Sequence, residues 1–287
     1  MAEVNDPSAN NTSFEVSSAV GRTVVVHDLG GGGSPLVIVH ATGFCGRAYQ
    51  PMAAALADRF HCWAVDLAGH GDSPAPQAGG FSWDAMALDL LAVFDHLALK
   101  PAIVFGHSVG GATTLLAEVA RPGSIERAFL YEPVVFPVGF RHAGGQSPMV
   151  GPALRRREVF ASRADALVRY AARPPLGLLR ADCLAGYVEH GFEDLADGTV
   201  RLKCRAEHEA AVFGQEESVT IDRMATVATD VVVAQGTRHN HSGPGQAAPM
   251  IAAGLQRARL LAYPHLGHLG PLQDPEMVGK DVAEFLG

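Results

Sequence analysis

Gly106-His107-Ser108-Val109-Gly110, followed by Gly111 and Ala112, sets one hydroxyl among small residues. An apolar run precedes it and a helical pattern follows, which is the setting a nucleophilic serine requires. Small neighbours two positions away permit a strained turn that lifts the hydroxyl above a sheet. The next helix then aims its free N–H groups and dipole at any negative charge that develops there. The plainer alternative is an ordinary serine in a glycine-rich turn.

Such a hydroxyl needs a base. His268 lies in His265-Leu266-Gly267-His268-Leu269-Gly270-Pro271, after the last strand pattern and before the last helical one. Its imidazole therefore falls on a loop at the same sheet edge, where it can take the hydroxyl proton. His265 is a competitor three residues earlier. His40-Ala41-Thr42-Gly43-Phe44 closes another apolar run. Small residues there let a backbone N–H approach a reacting carbonyl oxygen. The N–H groups of Thr42 and Val109 are the candidate oxyanion donors, with Gly43 the adjacent alternative to Thr42. A serine, a histidine and paired N–H donors point to acyl transfer.

These groups meet only if several strand ends lie at one edge. Strand patterns fall near Phe14–Val16 and at Thr23–Leu29, Pro35–His40, Cys62–Asp66, Ala102–Gly106, Ala128–Glu132, Val231–Gly236 and Arg259–Tyr263. Helical spacing falls at Tyr49–Arg59, Phe81–Leu99 (Ser82 as N-cap), Val109–Ala120, Ala247–Gln256 and Glu276–Leu286. Strands apolar on both faces and separated by helices predict a doubly wound, mostly parallel sheet of about eight strands. The core is expected at 13–134 and 230–287. Residues 135–229 have few strand runs and read as a helical cap insertion. Its helical patches are Ala153–Ala161, Ala164–Arg173, Leu178–His190 and Ala206–Gly214.

Composition narrows the function class. The 287 residues are 48% hydrophobic and 18% charged, which is globular. A net charge of −8 argues against nucleic acid or an anionic membrane surface as partner. Cys45, Cys62, Cys183 and Cys204 form no C-x-x-C pair and read as free thiols of a cytoplasmic protein. Residues 1–12 carry no basic stretch ahead of an apolar run, so they read as a disordered tip and not a secretory signal. No run reaches the ~20 apolar residues of a membrane helix. A small-molecule substrate, apolar at least in part, is the expected partner. A homodimer is left open.

In sum the motifs resemble the α/β-hydrolase superfamily over nearly the whole chain. His40-Ala41-Thr42 is similar to its HG-x oxyanion motif, with Ala41 for the usual glycine. Asp66-Leu67-Ala68-Gly69-His70-Gly71-Asp72-Ser73 is similar to its D-x-x-G-x-G-x-S segment. Gly106–Gly110 matches the nucleophile elbow, and Gly267–Pro271 the histidine loop. The resemblance implies a cap-containing serine hydrolase of a carboxylic ester, thioester or lactone, needing no metal or organic cofactor. A serine nucleophile argues against dehalogenases and epoxide hydrolases, which use a carboxylate. C–C bond hydrolysis and cofactor-free perhydrolysis use the same groups. His40 to Arg47 is similar to the H-G-F-x-x-x-G-R stretch of non-haem haloperoxidase-like members. A non-catalytic ligand-binding protein that kept the fold is the reading from another class.

One departure matters. The superfamily acid usually follows the late strand as G-x-x-D, but here Gly236-Thr237-Arg238-His239 puts histidine there. By resemblance to members that take the acid from an earlier strand end, Glu132 in Leu130-Tyr131-Glu132-Pro133 is the expected partner of His268. Asn240 is the next candidate, as a neutral orienter. Phe44, Phe136 and Phe140 are expected to line the substrate pocket, with Trp83, Val109 and Phe213 as further guesses. His239-Asn240-His241 lacks any companion ligand motif and does not read as a metal site. Gly30–Gly33 precedes a strand and not a helix, so it reads as a hairpin-type loop. Arg155-Arg156-Arg157 reads as a solvated helix face, with steering of an acidic substrate as the sharper option.

Overall fold

The computed structural model describes residues 12–77, 80–140, 145–215, 218–238 and 243–287. The N-terminal tip, apart from Thr12, and the His239-Asn240-His241 run with its candidate Asn240 lie outside the described residues. The first half holds β1 (Ser13–Ser17), β2 (Thr23–Gly31), β3 (Ser34–Val39), β4 (Phe60–Asp66), β5 (Ala102–His107) and β6 (Ile125–Tyr131). Between them run α1 (Gln50–Leu56), α2 (Trp83–His96) and α3 (Val109–Ala120). The segment after β6 carries α4 (Val150–Leu154), β7 (Val159–Phe160), α5 (Arg163–Ala171), α6 (Ala181–His190), β8 (Phe192–Asp194), β9 (Val200–Leu202) and α7 (Ala206–Phe213). The chain then returns with β10 (Asp230–Gly236), α8 (Gly243–Gly254), β11 (Ala258–Tyr263), α9 (Gly270–Gln273) and α10 (Pro275–Leu286).

Eight strands make one sheet in the order β1-β2-β4-β3-β5-β6-β10-β11. From β4 to β11 all neighbours are parallel, and only the β1–β2 and β2–β4 pairs are antiparallel. The alternation of strand side chains explains the double layer. Val37, Val39, Val104 and Val233 pack with Met86, Leu90, Leu115 and Ile251 of α2, α3 and α8. Leu36, Ile38, Phe105 and Val232 pack on the other face with Met52, Val278 and Val282 of α1 and α10. The expected α/β-hydrolase sheet of eight strands is present.

The segment at 135–229 is not wholly helical. Strands β7, β9 and β8 form a small antiparallel sheet, and the patch expected as a helix at 153–161 stops at Leu154. Pairs and triplets of residues are too short to show a period of two, so composition could not reveal these strands. Burial explains them. Phe160, Phe192 and Leu202 are each 1% exposed and join the core that contains Leu36 and Ile38. Trp83 also departs from expectation. It is 1% exposed and donates its indole N–H to the Val212 carbonyl, so it is a core residue and no pocket wall. Ser82 stands at the N-cap of α2, but its side chain makes no capping bond.

Candidate active site

Adjacent strands β5 and β6 end side by side, with His107 paired to Tyr131. The next residue on each strand, Ser108 and Glu132, has a positive φ, 56° and 43° respectively. A non-glycine residue there is uncommon and costs free energy, of order 1–3 kcal/mol when the conformation is sparsely populated. The elbow tolerates it because its glycines leave room. A Cβ on Gly110 would sit 2.2 Å from the Val39 carbonyl oxygen, and one on Gly106 would sit 2.8 Å from the Gly111 Cα. Ser108 is thereby held at the N-cap of α3, with its carbonyl accepting from the Gly111, Ala112 and Val134 N–H groups.

His268 reaches this point from the loop between β11 and α9. Tyr131 fastens that loop by donating its hydroxyl to the Gly267 carbonyl at 2.9 Å. His268 Nε2 lies 3.2 Å from Ser108 Oγ, and its Nδ1 lies 2.6 Å from Glu132 Oε2. The other carboxylate oxygen, Oε1, accepts the Gly236 N–H at 2.9 Å. Glu132 is fully buried, Ser108 is 5% exposed and the His268 side chain 30%. A carboxylate can only accept at Nδ1, which leaves Nε2 as the acceptor for the serine proton. Of the expected catalytic residues, Ser108, His268 and Glu132 are thus brought together. His265 is exposed and makes no hydrogen bond to Ser108 or Glu132.

Thr42 follows the end of β3, beside Gly43 at φ 81°. Among the described residues, the backbone N–H groups of Thr42 and Val109 donate to no protein atom. Thr42, Ser108 and His268 line one cavity of about 1060 Å³. Phe44, Phe136, Phe140 and Phe213 also line this cavity, and the stacked rings of Phe136 and Phe140 lie 4.3 Å apart. The Val109 side chain does not line it and is packed in the core at the start of α3. Residues on both sides of the 135–229 boundary form the wall, with Pro148, Met149 and Leu176 from the inserted segment and Met250 from α8. The Arg155–Arg157 run is not one solvated face. Arg155 and Arg157 are exposed, whereas Arg156 turns into the cavity wall.

Two supporting groups escaped the sequence reading. Tyr49 accepts the Ala41 N–H at 3.2 Å and donates its hydroxyl to His107 Nδ1 at 2.6 Å. His107 in turn donates from Nε2 to the backbone carbonyl of His268 at 2.7 Å. A single chain of bonds therefore joins the loop after β3, the elbow and the His268 loop. Burial pushes the His107 pKa well below its ordinary value, which keeps its Nδ1 lone pair available. His107 occupies the variable second position of G-x-S-x-G, and only its histidine identity hinted at a role.

Asp66, at the end of β4, organises the floor beneath. It accepts from the Gly46 N–H at 2.6 Å, and from His27 Nε2 and the Asp72 N–H at 2.7 Å. Burial opposes its charge, but the hydrogen bond from His27 prevails and holds its pKa down at about 2. His27, Asp66 and Asp72 bring potential metal-ligand atoms within 4.8 Å of one another. Both His27 nitrogens are already spent, however, one on Asp66 and one accepting from Arg47 Nε at 3.0 Å. The cluster is a hydrogen-bond hub and not a ligand set.

With this geometry in view, comparison with known proteins decides the family. The Alpha/beta hydrolase family matches residues 36–280. The chain belongs to that family. This α/β hydrolase is 27% identical over 283 residues to the Non-heme chloroperoxidase of Streptomyces lividans, a match covering 94% of this chain and 98% of that protein. It is 34% identical over 124 residues to the Magnesium-chelatase 30 kDa subunit of Rhodobacter capsulatus. That match covers 41% of this chain and spans less than half of the relative, 44%. Among solved structures, E-2-(Acetamidomethylene)succinate Hydrolase superposes with a TM-score of 0.78 at 21% identity, covering 96% of this chain and 98% of that one. At that identity the likeness shows the fold alone. Among the described residues, no helix is long and apolar enough to cross a membrane.

Proposed function

We propose that this α/β hydrolase cleaves a small-molecule carboxylic ester, thioester or lactone through an acyl-enzyme. The observation that carries the reading is the unbroken chain Ser108 Oγ–His268–Glu132, opening on a largely apolar cavity. His268 takes the Ser108 proton as Oγ attacks the carbonyl carbon. The N–H groups of Thr42 and Val109 receive the oxyanion. His268 then protonates the leaving alcohol or thiol, and the acyl-enzyme forms. Water, deprotonated by the same imidazole, attacks it and releases the acid. Glu132 fixes the tautomer and stabilises the imidazolium. The segment at 135–229 acts as the cap over the acyl and alcohol pockets.

Turnover of a panel of p-nitrophenyl esters tests this reading. Wild-type protein is expected to release p-nitrophenol from at least the shorter esters, and Ser108→Ala to lose about 10³-fold or more in kcat. Equal rates for the two proteins would refute it. Cofactor-free perhydrolysis is a second reading, favoured by the near full-length match to a non-haem chloroperoxidase. Peracid formation from acetate and hydrogen peroxide is its assay.

A further inference from the structure

Apart from Ser108, Thr42 and His268, the cavity wall also carries a part-buried ion pair. Arg156 donates from Nη1 to both carboxylate oxygens of Glu209 at 2.9 Å and from Nη2 to the Tyr187 hydroxyl. The rings of Tyr170 and Tyr187 flank its guanidinium at 5.9 and 6.0 Å. Both Arg156 and Glu209 line the cavity with Ser108, and their side chains are 18% and 10% exposed. Arg156 Nε–H is spent on no described residue. The pair also presses on the oxyanion loop. A Cβ on Gly43 would meet Glu209 Oε1 at 2.4 Å and Arg156 Nη1 at 3.2 Å. Gly43 adjoins Thr42, so the pair stands one residue from the expected oxyanion donor.

A lone arginine in such a wall would invite an anion. Here Glu209 already neutralises it. A second carboxylate would leave a net negative charge in an apolar wall beside Glu209, which desolvation and like-charge repulsion disfavour. An uncharged carbonyl oxygen needs only one donor, and the uncommitted Nε–H of this lining residue is the candidate for it. Leaving that donor dry when a purely hydrocarbon group binds carries a penalty.

We propose that Arg156 and Glu209 form a specificity subsite selecting esters that carry an uncharged hydrogen-bond acceptor, a ketone or amide carbonyl, a few bonds from the scissile carbonyl. The proposal rests on the reading of Ser108 as nucleophile. It turns the arginine run away from acidic-substrate steering, because the charge is already matched within the protein.

Three p-nitrophenyl esters of similar length test it: hexanoate, 5-oxohexanoate and hemiglutarate. For wild-type protein, kcat/KM on the oxo ester is expected to exceed that on hexanoate by about tenfold, with the hemiglutarate poorest. Arg156→Met should bring the oxo-to-hexanoate ratio close to one. Glu209→Gln keeps the side-chain shape and unmasks the arginine, so the hemiglutarate-to-hexanoate ratio should rise about tenfold or more. Equal wild-type kcat/KM for hexanoate and oxo ester overturns the subsite. So does a hemiglutarate ratio unmoved by Glu209→Gln. Failure of the wild type on all three esters overturns the ester-hydrolase reading, and the subsite with it.

Discussion

At the scale of single residues, the proposed mechanism depends on one carboxylate, taken from an earlier strand end than the superfamily's usual one. Glu132 directly follows β6, the strand next to the one that leads into Ser108, and its buried carboxylate meets His268 Nδ1 at 2.6 Å. An amide in its place can leave the imidazole in the wrong tautomer. Glu132→Gln is therefore expected to lower kcat about 10²–10⁴-fold while the melting temperature stays within a few degrees of wild type. Parallel assays of p-nitrophenyl ester turnover and thermal unfolding measure both, and near-wild-type kcat would remove Glu132 from the triad. Ser108 and His268 were legible in the sequence because each sits in a local run whose small neighbours announce it. Glu132 was legible only through resemblance, since no spacing links residues 132 and 268. Tyr49 was not legible, and His107 offered no more than its histidine identity. Their link to Ala41 and to the His268 carbonyl exists only after three strand ends converge.

At the scale of elements, the elbow works because α3 packs hard against the end of β3. Gly110 meets the Val39 carbonyl so closely that a methyl group would lie 2.2 Å from its oxygen. Gly110→Ala must push the end of β3 and the loop after it away, which costs about 1–3 kcal/mol or more. Urea unfolding should show that loss, and ester turnover should fall with it. Retention of both full stability and full turnover would mean that this contact gives way freely. The long parallel strands were readable from continuous apolar runs, and their helices from spacing, with ends shifted by a few residues. The β7–β9–β8 sheet was not readable. Its strands are two or three residues long, and it is held by burial of Phe160, Phe192 and Leu202 against the main core rather than by any pattern of its own. Arg156 failed for a related reason. Three arginines in a row look alike until the end of α4 turns the middle one inward.

At the scale of the whole molecule, the chain folds a sheet whose strand ends, loops and inserted segment meet at one cavity. That convergence buries titratable groups. Burial lowers the pKa of His40, His107 and His70, the last to about 3, so folding disfavours the protonated form of each. The unfolded chain binds protons at these three sites once the pH falls below about 6.5, and the folded chain binds fewer. Stability from this source is therefore full above that pH. It should fall by up to about 4 kcal/mol per pH unit on acidification, until the lowered folded pKa values are reached. Urea midpoints at pH 7.5, 6 and 5 test this, and a midpoint independent of pH over that range would contradict it.

The central claim, that Ser108 is the activated nucleophile of this α/β hydrolase, is tested most directly by intact-mass and peptide mapping after fluorophosphonate treatment. The account predicts one phosphonyl adduct per chain, on Ser108, and none on Ser108→Ala. An unlabelled wild-type protein, or equal labelling of the variant, would contradict it.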